Sequence, residues 1–197
     1  KAFLGFIIFY SVLREYDFKK KLILLVTMLI IFFSLLLNSS FLKVRFVGQM
    51  QTYLSTNNEY FSIYRSGFEV FKNNKFFGVG NKNYRIETCK SENKDLREKE
   101  TYYCTTHPHQ IYFELLSEHG LFGLIFLFLI FYKLIFSKYS EIFKSENYIS
   151  LGSFAYIIIT FVPLLPGGAF FSDYMLTMFM LNLSLLYASN QRLNIFR

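Results

Sequence analysis

Cys104-Thr-Thr-His107-Pro108-His109-Gln110-Ile-Tyr-Phe-Glu114-Leu-Leu-Ser-Glu118-His119-Gly120-Leu-Phe-Gly123-Leu124 is the stretch on which the reading of this chain turns. It holds all 3 histidines of the protein, with two carboxylates among them, and an apolar run to Ile130 follows directly. Titratable chemistry is thus joined to the start of what reads as a membrane helix. Pro108 suits the first turn of a helix, where its missing N–H costs nothing, and it pushes His107 towards an extended conformation. A helix beginning near Pro108 places His109 and Gln110 in its first turn, with unpaired N–H groups pointing outwards. Such a start attracts phosphates and other anions. It also disfavours an imidazolium, which suits His109 as a proton acceptor. A base beside an anion cradle fits transfer from a phosphate leaving group to a hydroxyl.

The rest of the composition agrees with a membrane setting. There are 26 Phe and no Trp, mean hydropathy is positive, and several apolar runs approach the ~20 residues that cross a bilayer. The net charge of +7 lies mostly beside apolar segments, where the positive-inside rule expects it, so nucleic acid is set aside as a partner. The chain opens on Lys1-Ala-Phe-Leu-Gly without Met or a signal-peptide n-region, and is expected to be part of a larger protein.

Taken in order, residues 1–42 read as two membrane helices. The first, Ala2–Leu13, is truncated, and the second is Leu22–Leu37, extending to Leu42. The basic loop between them, Arg14 to Lys21, is cytoplasmic by its charge. Residues 43–119 form one long periplasmic loop carrying the active site. Within it, Tyr60, Tyr64, Phe68 and Phe71 have helical spacing over Glu59–Phe71, Asn73-Asn74 ends that helix, and Gly78-Val-Gly80 is a turn. Glu87–Glu100 carries charges of both signs and reads as a solvated loop. Residues 120–197 supply three more spans, Leu121–Phe136, Tyr148–Leu165 and Ala169–Ala188, the last two joined at Pro166-Gly167-Gly168, and then a basic cytoplasmic tail. The fold expected is all-α: a polytopic transmembrane helix bundle with one long, partly helical periplasmic loop.

His109-Gln110-(x)7-Glu118-x-Gly120-Leu-x-Gly123 resembles the signature of the bacterial O-antigen ligase/polymerase family, a His-Asn pair followed by Glu-x-Gly before a membrane helix. Gln110 stands where Asn is usual. Arg65 followed by Phe76-Phe77-Gly78-Val79-Gly80 is similar to the family's arginine and Pro-x-x-Gly-x-Gly turn, with Lys75 in place of the proline and no Trp after the arginine. The resemblance implies an O-antigen ligase acting at the periplasmic face of the inner membrane. It would move a glycan from a polyprenyl-pyrophosphate carrier to a hydroxyl of a glycan or lipid A core acceptor, with membrane lipid as its surroundings. A polymerase of the same family is the alternative, and a transporter or flippase module is a third reading. The family's Ser-Arg pair is expected just before Lys1.

On these grounds His109 is expected to act as general base, with His107 and Gln110 orienting substrate. Arg65 is expected to bind the pyrophosphate through its guanidinium fork. Its bland reading is a surface pair with Glu69 at i+4. Arg45, Lys72, Lys75 and Arg85 are weaker candidates for the phosphate. Glu118 joins the catalytic set as the acceptor-positioning carboxylate, although nine residues put it half a turn out of phase with His109 unless the helix bends near Gly120. Glu114 reads as structural. Asp173, near the outer end of the last span, is expected to face protein or a wet cavity and to contact substrate. Cys89 and Cys104, both in the periplasmic loop, are expected to form a disulfide. Cys104-x-x-His107-x-His109 has zinc-type ligands but no fourth partner nearby, so neither metal nor other cofactor is assigned.

Overall fold

The computed structural model describes residues 5, 7–8, 10, 17–48, 51, 59–99, 101–144, 147–163, 167–190 and 193. The expectations for Ala2–Leu13, for the loop at 14–16, for the Arg45 side chain, for Pro166 and for the tail fall wholly or mostly outside them. The described residues are helical and contain no strand.

Helix α1, Phe18–Asn38, has no buried residue, and its Ile23, Ile30, Phe33 and Leu37 are exposed. A helix apolar and exposed all round suits lipid. After Asn38 the chain continues through a single turn, Ser40–Leu42, into a π-helical segment, Lys43–Gly48. Helix α2, Glu59–Asn73, is amphipathic and buries Ile63, Tyr64, Ser66, Gly67 and Val70. The charged stretch expected as a loop is instead helical: α3, Tyr84–Cys89, a 3-10 turn at Ser91–Asn93, and α4, Lys94–Glu98. Arg97 holds these pieces together by donating to the carbonyls of Thr88 and Lys90.

Helix α5, Ile111–Leu134, is broken at Gly120, where φ is 65° and ψ is −163°. The break divides it into a first limb, 111–119, and a second, 121–134. Beyond it lie α6, Tyr139–Phe143, α7, Tyr148–Thr160, and α8, Asp173–Ser189. Among the described residues, two helical stretches are long and apolar enough to cross a membrane: Phe18–Asn38 and the run Ile111–Phe143 that contains α5 and α6. α7 is a shorter apolar helix of 13 residues, and it packs along α8 with Phe154, Ile157, Phe179 and Leu186 in one core.

The two limbs of α5 differ in what surrounds them. The first buries Ile111, Glu114, Leu115, Ser117 and Glu118, whereas most of 121–130 is exposed. They also fold back on each other. Tyr112 and Phe128 lie eight residues either side of Gly120 and stack with ring centroids 6.2 Å apart. On one straight helix those residues would be roughly 24 Å apart. α5 is therefore a helical hairpin rather than a single membrane rod.

Candidate functional site

The hairpin decides where the chemistry sits. Breaking a helix orphans the last carbonyls of one limb and the first N–H groups of the other. Here the turn at 75–80 pairs both sets. Val79 and Gly80 donate to the carbonyls of Ser117 and Glu118 at 2.9 and 2.8 Å, and Leu121 and Phe122 donate to those of Lys75 and Phe76 at 2.8 and 3.2 Å. The approach is so close that a Cβ on Gly78 or Gly120 would lie 2.3 Å from the backbone of Glu118 or Phe76. Both glycines have positive φ, 66° and 65°. The Phe76-Phe77-Gly78-Val79-Gly80 segment thus closes the break.

The two carboxylates lie one turn apart on the first limb, and each fastens a different loop. Glu118, 2 % exposed, accepts from the backbone N–H of Lys82 at 2.8 Å and of Tyr84 at 3.3 Å. It thereby holds the entry to α3. Glu114 accepts from Phe170 at 2.8 Å and Phe171 at 3.3 Å, fixing the segment before α8. A buried carboxylate is tolerable when its oxygens are paired in this way. Glu118 therefore points at the 82–84 turn and holds that loop. Tyr84 continues the fastening: its hydroxyl donates to Ser66 Oγ at 2.7 Å, and Ser66 Oγ accepts from the Tyr103 N–H at 2.9 Å. Cys89, at the end of α3, is bonded to Cys104, with Cα atoms 4.8 Å apart. Three residues on stands His107.

At the far end of the limb from Gly120 is the histidine corner. The helix does not begin at Pro108 but at Ile111. Gln110 is its N-cap, with Oε1 accepting from Tyr112 N at 2.8 Å and Phe113 N at 3.1 Å. Gln110 is buried, and its side-chain oxygen caps the helix. The cap occupies the N–H groups of Tyr112 and Phe113, the second and third of the helix. Pro108 packs against Gly67 of α2, where an added Cβ would lie 3.3 Å from it. His109 has φ 54°, an uncommon conformation for a residue other than glycine and one that concentrates at functional sites. Its carbonyl accepts from Gly167 N at 2.7 Å. Its ring lies 4.1 Å from that of His107 and 6.0 Å from that of Tyr60.

His107 Nδ1 shares a hydrogen bond with Thr106 Oγ1 at 2.9 Å. Burial holds its imidazole below the ordinary range, and the neighbouring His109 adds to that, while the Gly167 carbonyl pulls the other way. That carbonyl makes no well-formed hydrogen bond to Nε2, which is buried without a partner among the described residues.

Arg65 is exposed and is ~100° round the helix from Tyr64 and ~140° from Tyr60, the residues of α2 that face the first limb. Glu69 is paired with Lys72 at 2.7 Å, and no Arg65–Glu69 pair occurs among the described residues. Asp173 is not enclosed: its carboxylate is fully exposed at the start of α8, with Lys82 Nζ 3.8 Å away. Cys104, bonded to Cys89, has no thiolate to offer a metal, and no group of three His, Cys, Asp or Glu placed to hold one occurs among the described residues. Tyr60 and Tyr64 were legible only as the apolar stripe of α2.

Helices suited to lipid, a folded-back hairpin and a polar corner fastened by one loop describe a helical membrane-associated protein with a single concentrated candidate site. The family model described as O-antigen ligase matches residues 2–128, and the chain belongs to that family. Membership implies activity of the O-antigen ligase or polymerase type, an enzyme that handles a lipid-linked glycan and an acceptor. No curated protein and no solved structure matches the chain.

Proposed function

We propose that this protein is a glycosyltransferase that moves a glycan from a polyprenyl-pyrophosphate carrier to a hydroxyl acceptor, with His109 as general base. A ring nitrogen of His109 takes the acceptor's hydroxyl proton as the oxygen attacks the anomeric carbon. The bond from that carbon to the phosphate oxygen breaks, and the carrier pyrophosphate leaves with the electron pair. The observation that carries this reading is the strained His109 beside His107, three residues before Tyr112. Tyr112 is also the first wall of an apolar cavity of about 230 Å³ lined by Leu127, Phe128, Phe131, Ile157 and Phe161. An isoprenoid tail loses little by entering such a space from lipid. The site is assigned to the periplasmic side of the inner membrane, because basic residues cluster at the opposite helix ends.

The test is a deletion strain complemented with the full-length gene. Lipid-linked glycan should accumulate on deletion and return to its normal level on complementation. An unchanged carrier pool contradicts the reading. The product separates the two family activities: one preformed glycan per acceptor for a ligase, and a ladder growing on the carrier for a polymerase.

A further inference from the structure

We propose that Tyr64, together with the ring of Tyr60 and Nε2 of His107, forms the wall that receives the acceptor sugar, with Tyr64 Oη hydrogen-bonding one of its hydroxyls. This rests on the glycosyl-transfer reading of the same corner. α2 sets Tyr60 and Tyr64 one turn apart with rings 6.3 Å from each other. The ring of Tyr64 stacks on Phe113 at 5.2 Å, and that of Tyr60 meets His109 at 6.0 Å. Phe113, Tyr64, Tyr60, His109 and His107 therefore make one continuous row of rings.

Two polar atoms in that row lack partners. Tyr64 is 9 % exposed, and its Oη is enclosed without a hydrogen-bond partner among the described residues, as is His107 Nε2. Buried polar atoms in folded proteins are almost always paired, so each exception calls for an explanation. The other unpartnered atoms, His119 Nε2 and Ser150 Oγ, lie elsewhere, against Phe171 and within α7.

The chemistry of the row selects the ligand. A phosphate needs cations, and the nearest in sequence, Arg65, sits on the exposed face. A sugar needs hydroxyl partners that both donate and accept, as a tyrosine does. It also needs aromatic faces, whose negative charge attracts its C–H groups. The acceptor glycan fits this wall, and the pyrophosphate does not.

The experiment uses the full-length enzyme in liposomes, with donor and acceptor glycans extracted from membranes of a strain deleted for it. Tyr64→Phe keeps the stack on Phe113 and removes only Oη. The acceptor KM should rise about three- to tenfold, the loss of one neutral hydrogen bond, with kcat within about twofold. The thermal midpoint should stay level or rise, because an unpaired buried hydroxyl has been removed. An unchanged KM overturns the proposal, and so does a lowered midpoint, which would make the hydroxyl structural. Loss of transfer by His109→Ala alongside a normal KM for Tyr64→Phe confines the failure to the sugar wall. Absence of transfer by the wild-type enzyme overturns the functional reading and this proposal together.

Discussion

Tyr112 and Phe128 stack at 6.2 Å although Gly120 lies midway between them in sequence. Their contact defines the hairpin of α5 and sets His109 a helix limb away from the break at Gly120. The first limb can then be buried and polar while the second stays exposed and apolar. A continuous helix could not divide its surroundings in this way.

Gly120 is the position this geometry depends on most. Its φ of 65° and the 2.3 Å approach of Phe76 O to any added Cβ leave no room for a side chain. Gly120→Ala should destabilise the protein by more than about 2 kcal/mol, through backbone strain and the lost Leu121–Lys75 and Phe122–Phe76 pairings. Thermal unfolding in detergent measures it. A midpoint equal to wild type would mean that the hairpin does not need glycine here.

Glu118 separates a fastening role from a catalytic one. Glu118→Gln keeps the shape but sets an amide N–H₂ against one of two backbone donors. The expected loss is about 1–3 kcal/mol of stability, with kcat of the folded variant within about threefold of wild type. A kcat reduced a hundredfold at unchanged stability would place Glu118 in the reaction.

Local signals carried well into this structure, and long-range ones did not. Helix α2, expected at Glu59–Phe71 and found at Glu59–Asn73, follows from its apolar spacing and the Asn73-Asn74 stop, which are both local. The start of α5 was misplaced by three residues, because Gln110 became the cap only once His109 had taken a positive φ. That conformation accompanies a hydrogen bond from Gly167, 58 residues away in sequence (167 − 109). A bend near Gly120 was open in the sequence, but nothing local required the reversal found there. A glycine before an apolar run looks alike in a straight span and in a hairpin, and the turn that closes this break is some forty residues upstream. The charged stretch Glu87–Glu100 read as loop because its charges alternate; its helices are short and depend on Arg97 and the Cys89–Cys104 bond.

His107 should make stability depend on pH. Its folded-state pKa is lowered, chiefly by burial and then by His109, so near pH 6.5 the unfolded chain binds the proton more readily. The contribution of the neutral ring is complete above that pH and is lost as pH falls towards the folded value. His107 therefore contributes a loss of thermal midpoint between about pH 7 and about pH 5, so wild type should lose more over that range than His107→Gln. An equal drop in the variant would place the titrating group elsewhere.

The proton acceptor is the centre of the account, and single-turnover transfer by His109→Ala tests it most directly. Full-length wild-type and variant enzymes would be compared at saturating donor and acceptor. The folding of each would be checked by its thermal midpoint. Removing a general base should slow transfer roughly 10²–10⁴-fold while both glycans still bind. Transfer by folded His109→Ala at the wild-type rate would contradict that role.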